Sequence, residues 1–487
     1  MTNGLSIPPL RASYMLQYRN GLIGKHFKSI QQLAIFHLDD SLCSPLERDL
    51  WKATGELGAL LWYYEIENMP MYLKDLEILI GNVLDIWSLI DPQRVFVKPK
   101  LHILSHILED VRHHGPPPLY STEIFECFNA IFRMCSVLSN HQAPSRDIAW
   151  TCADLDRFKH EISGGWWKGQ DGKFVQAGVR VRQYFNNTQV QRRLGFVSKA
   201  SHVAGTMHCP AKMRKSAQTW ASFRIQSSAR GLSFADETRW YPCTYIISRQ
   251  EDRCIIGSWV FVEHNSVTYI GRISYILTPA DGQICAASVV LEEFILTNSR
   301  HPKFNMPEVL RREGTGVSHI VVKPEVAEVL FIVNVQHNCL DGQCAASGQH
   351  VRRQERQDTE ITEPMWEHSD DNKFILNLHA LHNAALTRRI LPRYLTEPLP
   401  YLQDRISEHK DMAAKLRVIH DARRQKEADA RKARQQKKKS TTAGAGAGKA
   451  AEEVQQGQPE QSASANTVEP LDHEQVVDGG AASGAVE

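Results

Sequence analysis

Apolar residues recur at helical spacing through the first third of the chain and then give way to short runs rich in Val, Ile, Tyr and Phe. Ser44-Pro45-Leu46-Glu47 has the form of a capping box with proline at the first helical position. Trp51, Leu57, Leu60 and Leu61 follow it at helical spacing, which predicts a helix over about 46–64. From Met71 to Ile90, Leu73, Leu76, Leu79, Ile80, Val83, Leu84 and Trp87 cover more than one face, so this helix is expected to be central and mostly buried, ending at Asp91-Pro92. A third helix is predicted over 99–113, stopped by Gly115 and three prolines. A fourth is expected over 121–138, and a fifth runs from after Pro144 to Ser163-Gly164-Gly165. These elements predict an all-α domain over 20–165 behind a flexible N-terminus, 1–19.

Residues 166–238 mix short helical patterns with Gly, Asn and Ser and are expected to form a connector. A β-rich module is predicted over 239–346 from the runs 254–262, 267–277, 286–296, 317–322 and 329–335. Pro279-Ala280-Asp281-Gly282 is a turn signal, since proline presets φ and glycine supplies a positive one. Five or six such strands suit a small barrel or sandwich. A linker with a helical segment, Phe374 to Ile390, is expected over 347–400, a basic helix over 401–439, and a disordered Gly/Ala/Ser/Gln/Glu-rich tail over 440–487. The fold class predicted is α+β and multidomain.

Composition changes this picture little. A chain of 487 residues exceeds what one core usually supports, and its formal charge of +2 means that any electrostatic function must come from local asymmetry. Met1 to Leu10 lack a basic segment followed by an apolar run, so secretion is not expected. Glu65 and Asp85 interrupt the richest apolar stretches before membrane-spanning length, so no membrane partner is expected either. Ten scattered cysteines then read as reduced thiols of an intracellular protein.

The local asymmetry lies near the C-terminus. Arg423, Arg424, Lys426, Arg431, Lys432, Arg434, Lys437, Lys438 and Lys439 face few acids, a cluster suited to nuclear import or phosphate contacts, the bland alternative being a solvated, salt-bridged helix. His102 and His106 stand four residues apart, a spacing that lets two imidazoles share a metal, but position 103 is Ile rather than the Glu of the metalloprotease pattern. On the fourth helix Thr122, Glu126, Asn129 and Arg133 fall in one polar stripe opposite Ile124, Phe125, Phe128, Ile131, Phe132 and Cys135. Acid–base or two-metal chemistry there needs a second carboxylate, for which Asp147, Asp154 and Asp156 are candidates, with Arg146 beside them. His337, Cys339 and Cys344 cluster in the β module with Cys243 and Cys254 upstream. Their spacing matches no strong zinc signature, so buried thiols and substoichiometric metal are expected. No phosphate loop, dinucleotide fingerprint or nucleophile elbow is present.

Several runs together carry a resemblance. Gly21-Leu22-Ile23-Gly24-Lys25-His26-Phe27-Lys28, Lys98-Pro99-Lys100-Leu101-His102, Gly115-Pro116, Ser121-Thr122-Glu123-Ile124-Phe125-Glu126-Cys127-Phe128-Asn129, Ser139-Asn140, Pro144-Ser145-Arg146-Asp147 and Ser163-Gly164-Gly165-Trp166-Trp167 occur in this order. This series resembles the C-terminal part of fungal CACTA-like transposases of the Plavaka type. The resemblance implies an RNase H-like core in which three carboxylates hold two metal ions, the third acid corresponding to Glu126, with Glu123 as runner-up. The chain starts too close to the motif to include the first two aspartates, so an inactive nuclease is expected. In the β module, Gly257-Ser258-Trp259-Val260-Phe261-Val262, Tyr269-Ile270-Gly271-Arg272-Ile273, Leu330-Phe331 and Gly342-Gln343-Cys344 resemble bromo-adjacent homology (BAH) domains, which implies chromatin partners. Val289 to Leu296 lacks the aromatic-Arg-Pro signature of that family.

The expectation from all this is a transposon-derived, non-catalytic nuclear protein that binds DNA or chromatin proteins. No cofactor is expected, and Mg²⁺ enters solely if an upstream partner chain completes a nuclease site. The alternatives are that partial nuclease subunit, or a scaffold or decaying gene product.

Overall fold

The computed structural model describes residues 2–444 except 8–9, 11, 39–40, 138, 140–141, 195–202, 224, 226–229, 232–233, 281–286, 313–318, 323–327, 341–343 and 354–359. For residues 12–13, 96–97, 123–128, 130, 192–193, 230–231, 347–353, 360–365 and 434–444 it describes the backbone alone. The fold is mixed α+β, with a helical N-terminal region, a sheet-rich middle and a long C-terminal helix. Residues Met1–Arg405 form one unit and the rest of the chain from Ile406 a second. Among the described residues no helix is long and apolar enough to cross a membrane.

The helical region follows its local signals. Ser44 Oγ accepts from the Glu47 backbone N–H at 3.3 Å while the Glu47 carboxylate accepts from the Ser44 N–H at 2.9 Å, which satisfies two donors that the start of helix Pro45–Leu61 would otherwise leave unpaired. Helix Met69–Ile90 is central, burying Leu76, Leu79, Ile80, Val83 and Ile86 against Ala53, Leu57 and Leu60. The third predicted helix is broken. It forms as Pro99–Leu104 and Ile107–His114, with Ser105 and His106 in a turn between them. Helices Thr122–Val137 and Pro144–Ile162 complete the region.

The middle of the chain is a closed sheet. Its main strands are β1 (Trp259–His264), β2 (Val267–Pro279), β3 (Ser288–Arg300), β4 (Pro307–Arg311), β5 (His319–Val322), β6 (Val329–Val333), β7 (Val335–His337) and, after the separate hairpin of β8 (Ala345–Arg353) and β9 (Glu360–Glu367), β10 (Lys373–Leu376), with the short strands Gln218–Thr219, Arg230–Gly231 and Arg239–Pro242 joined at its margins. Hydrogen bonds run in the order β6-β1-β2-β3-β4-β10-β7, with β5 paired to β3. Since β6 and β7 are two halves of one extended segment, parted at Asn334, the two ends of the sheet meet and, among the described residues, the barrel has no long free edge. Phe261, Ile270, Phe294, Val309, Phe331 and Ile375 fill one core, and Val260, Val262, Ile273, Ile276, Val289 and Ile320 fill the other.

Three boundaries differ from the sequence reading. The segment over 347–400 is not a linker with an early helix, because β10 begins at Lys373 and is paired on both sides, whereas the helix there spans just Ala384–Ile390. Part of the connector belongs to the barrel, since Trp220 and Phe223 pack on Trp240, Leu277 and Val290. The C-terminal helix runs over Arg405–Gly444, past the expected end at Lys439. Asp281 and Gly282 of the predicted turn, and residues 445–487 of the predicted tail, lie outside the described residues.

Buried polar contacts join the helical region to the barrel. Asn334 Oδ1 accepts from Gln336 Nε2 at 2.7 Å and Asn377 Nδ2 at 2.8 Å, and its own amide donates to the Asn3 carbonyl at 2.6 Å. Asn377 also donates to the Gln32 carbonyl, and Gln32 Oε1 accepts from the Leu381 N–H at 2.9 Å. These bonds satisfy the buried Asn334 side chain, and the Asn377 N–H donates to the Asn334 carbonyl at 3.0 Å where the strand breaks.

Candidate metal centre and basic helix

At the end of the barrel the chain leaves β7, turns, and enters the hairpin. His337 closes β7, Cys339 lies in the turn, Cys344 immediately precedes β8, and His368 immediately follows β9. His337 Nδ1 lies 3.5 Å from Cys339 Sγ and 3.6 Å from Cys344 Sγ, and His368 Nδ1 lies 3.5 Å from Cys339 Sγ. One donor atom from each of the four residues falls within 4.8 Å of all the others. The two imidazoles stack with centroids 4.2 Å apart.

The surroundings orient these donors. His337 Nε2 lies 3.4 Å from Asp370 Oδ1, so the carboxylate fixes the tautomer that turns Nδ1 towards the sulfurs. Cys344 Sγ accepts from the Ser369 backbone N–H at 3.3 Å, a contact that holds the sulfur in place. Burial pushes the Cys339 thiol up to about 11, with a hydrogen bond to Trp366 opposing the rise and Cys344 adding to it. Burial and then the facing His337 push the His368 imidazole down.

Sequence reasoning found three of these residues and missed His368. Residues 345–367 intervene between Cys344 and His368, a gap outside the short spacings by which zinc motifs are recognised, and the antiparallel pairing of β8 with β9 closes it. The upstream cysteines do not join the cluster. Cys243 and Cys254 are buried in the barrel core, and burial, with Cys209 alongside, pushes the Cys243 thiol up to about 12.

A family model described as a domain of unknown function, DUF8590, matches residues 203–396. That span contains the whole barrel and all four donors of the cluster. It excludes the helices before residue 203 and the basic helix. No curated protein and no solved structure matches the chain.

The remaining candidates are dispersed. His102 and His106 are exposed with Nε2 atoms 3.4 Å apart, but among the described residues no third metal donor joins them. Glu123 and Glu126 lie on helix Thr122–Val137, with side chains outside the described residues. Asn129 and Arg133 are exposed on that helix. Arg146 Nε lies 3.9 Å from Asp147 Oδ1, and Asp154 pairs with Arg157 at 3.4 Å, so two of the three proposed partner carboxylates already face cations.

The basic segment forms part of helix Arg405–Gly444, in which Arg423, Arg424, Lys426, Arg431 and Lys432 are exposed. The side chains of Arg434, Lys437, Lys438 and Lys439 lie outside the described residues. Ala, Lys, Arg, Glu and Gln dominate from 422 to 439, so strong helix formers over many turns sustain the helix without an apolar stripe. Arg423 Nε donates to Glu427 at 3.0 Å and Gln425 Nε2 to Asp429 at 3.1 Å, each four residues along the helix.

Proposed function

We propose that the chain is a non-catalytic, transposon-derived nuclear protein that binds DNA or chromatin through phosphate contacts from its C-terminal helix. The observation that carries this reading is the charge of that helix: nine Lys and Arg against Asp421, Glu427 and Asp429 between residues 421 and 439, with the described cations exposed. At about 100° per residue these cations recur around most of the helix, which suits sequence-independent phosphate contact better than readout of one groove. The closed barrel supports the chromatin part of the reading at the level of fold, since the BAH-like runs 257–262 and 269–273 fall largely on the adjacent strands β1 and β2.

The test is binding of duplex DNA by the full chain across salt concentrations. Five phosphate contacts imply a slope of log K against log salt near −4 to −5, at about 0.9 per phosphate neutralised. Deleting residues 420–440 is expected to remove most of that slope, and to abolish nuclear accumulation of a fluorescent fusion. An unchanged slope and unchanged import in the deletion variant would make the helix a solvated rod and sink the reading. Purified protein is expected to leave DNA uncut with Mg²⁺ or Mn²⁺. Cleavage lost in Glu126→Gln would instead favour the nuclease subunit.

A further inference from the structure

We infer that His337, Cys339, Cys344 and His368 bind one zinc ion as a closed structural site that pins both feet of the β8–β9 hairpin to the end of the barrel. This inference rests on the cluster alone and is independent of the DNA-binding reading.

The distances carry the argument. A tetrahedral zinc with Zn–S of about 2.3 Å and Zn–N of about 2.0–2.1 Å places neighbouring sulfur and nitrogen ligands about 3.6 Å apart. The three sulfur–nitrogen separations of 3.5, 3.5 and 3.6 Å have that length. Thiol–imidazole hydrogen bonds alone do not account for the arrangement. A neutral imidazole nitrogen has one lone pair, whereas His337 Nδ1 faces two sulfurs at nearly equal distance. One cation between the four atoms accounts for all three of these separations at once.

Two further contacts are those of a metal site's outer shell. Asp370 holds the remote nitrogen of His337, and the Ser369 N–H points at Cys344 Sγ. Two sulfurs and two imidazoles gathered at one point favour zinc over oxygen-seeking cations. Four protein donors leave no open position for water or substrate, so the site is structural rather than catalytic.

The placement of the donors gives the ion its role. β8 and β9 form a two-stranded sheet separate from the barrel, and a two-stranded hairpin alone is marginal in water. Cys344 and His368 flank its two feet, while His337 and Cys339 belong to the barrel's end and the turn beyond it. Zinc therefore ties the hairpin to β7, with which, among the described residues, its strands share no sheet.

The full-length chain, purified without added metal, is expected to contain one zinc per molecule by elemental analysis. Replacement by Co²⁺ should give the visible bands of a tetrahedral ion and the near-ultraviolet charge transfer of two thiolates. Chelation should accelerate amide exchange in 345–367 at least tenfold while the strands β1 to β4 stay protected. Cys344→Ser should lose the metal. His368→Cys should keep it, with stronger thiolate charge transfer, which separates ligation from loss of folding. The inference is overturned by zinc retained in Cys344→Ser, by an octahedral cobalt spectrum, by a Cys339–Cys344 disulfide in the native protein, or by hairpin exchange that ignores chelation.

Discussion

The imidazole of His379 occupies the space in which a side chain at Gly55 would stand. A Cβ built on Gly55 would overlap the ring around Nδ1, within the middle of helix Pro45–Leu61. Glycine inside a helix normally weakens it by roughly 1 kcal/mol relative to alanine. Here the steric conflict outweighs that gain, and Gly55→Ala is expected to destabilise the protein by about 1–3 kcal/mol in denaturant unfolding. Adding His379→Ala should make the double variant more stable than the sum of the two single changes predicts. Strict additivity would show that the two residues do not meet.

His379 also sets an acid limit. Burial, then the positive charges of Arg388 and Lys52, lower its pKa from the ordinary 6.5 to about 3, and neither ring nitrogen has a hydrogen-bond partner among the described residues. Between those values the unfolded chain takes up a proton that the native state refuses, so stability falls as pH drops. The slope from this group is up to about 1.4 kcal/mol per unit between roughly pH 6.5 and 3, and zero above. His379→Leu should flatten unfolding free energy against pH over the upper part of that window. An unchanged slope in the variant would assign the acid sensitivity to other groups.

Arg405 grips the fully buried Asp85 in a two-pronged pair, Nε to Oδ2 at 2.7 Å and Nη2 to Oδ1 at 2.9 Å. Removing one partner of a buried pair strands the other charge, which typically costs about 3–5 kcal/mol. Because Arg405 is itself 45% exposed, Arg405→Gln is expected to cost less, about 2–3 kcal/mol. Arg405→Gln combined with Asp85→Asn should recover part of the loss in thermal or denaturant unfolding. A single variant as stable as the parent would refute the clamp.

The basic helix predicts graded behaviour. Arg431→Gln with Lys432→Gln should reduce the magnitude of the salt slope of DNA binding by about 1.8, two contacts at about 0.9 each, without changing preference among duplex sequences. Binding that weakens for one sequence alone would indicate base readout at these positions instead.

Local order was legible along the chain wherever one residue's preference decided it. Ser44, Pro45 and Glu47 specify a helix start among themselves, and the Val- and Ile-rich runs of β1, β2 and β6 bury on a sheet whichever partners they find. The charge of 421–439 is likewise a property of composition. Long-range meetings of single polar residues were not legible, because a side chain such as Asp85, Asn377 or His368 carries no periodic signal of where its partner lies. Asp85 looks like a break in an apolar stretch until Arg405 arrives from 320 residues away. Asn334 and Asn377, 43 residues apart, become the bonded corner of a closed barrel solely because β7 pairs with β10. The candidate metal cluster combines both cases: His337, Cys339 and Cys344 stand close together along the sequence by itself, and the antiparallel return of β9 beside β8 decided that His368 joins them.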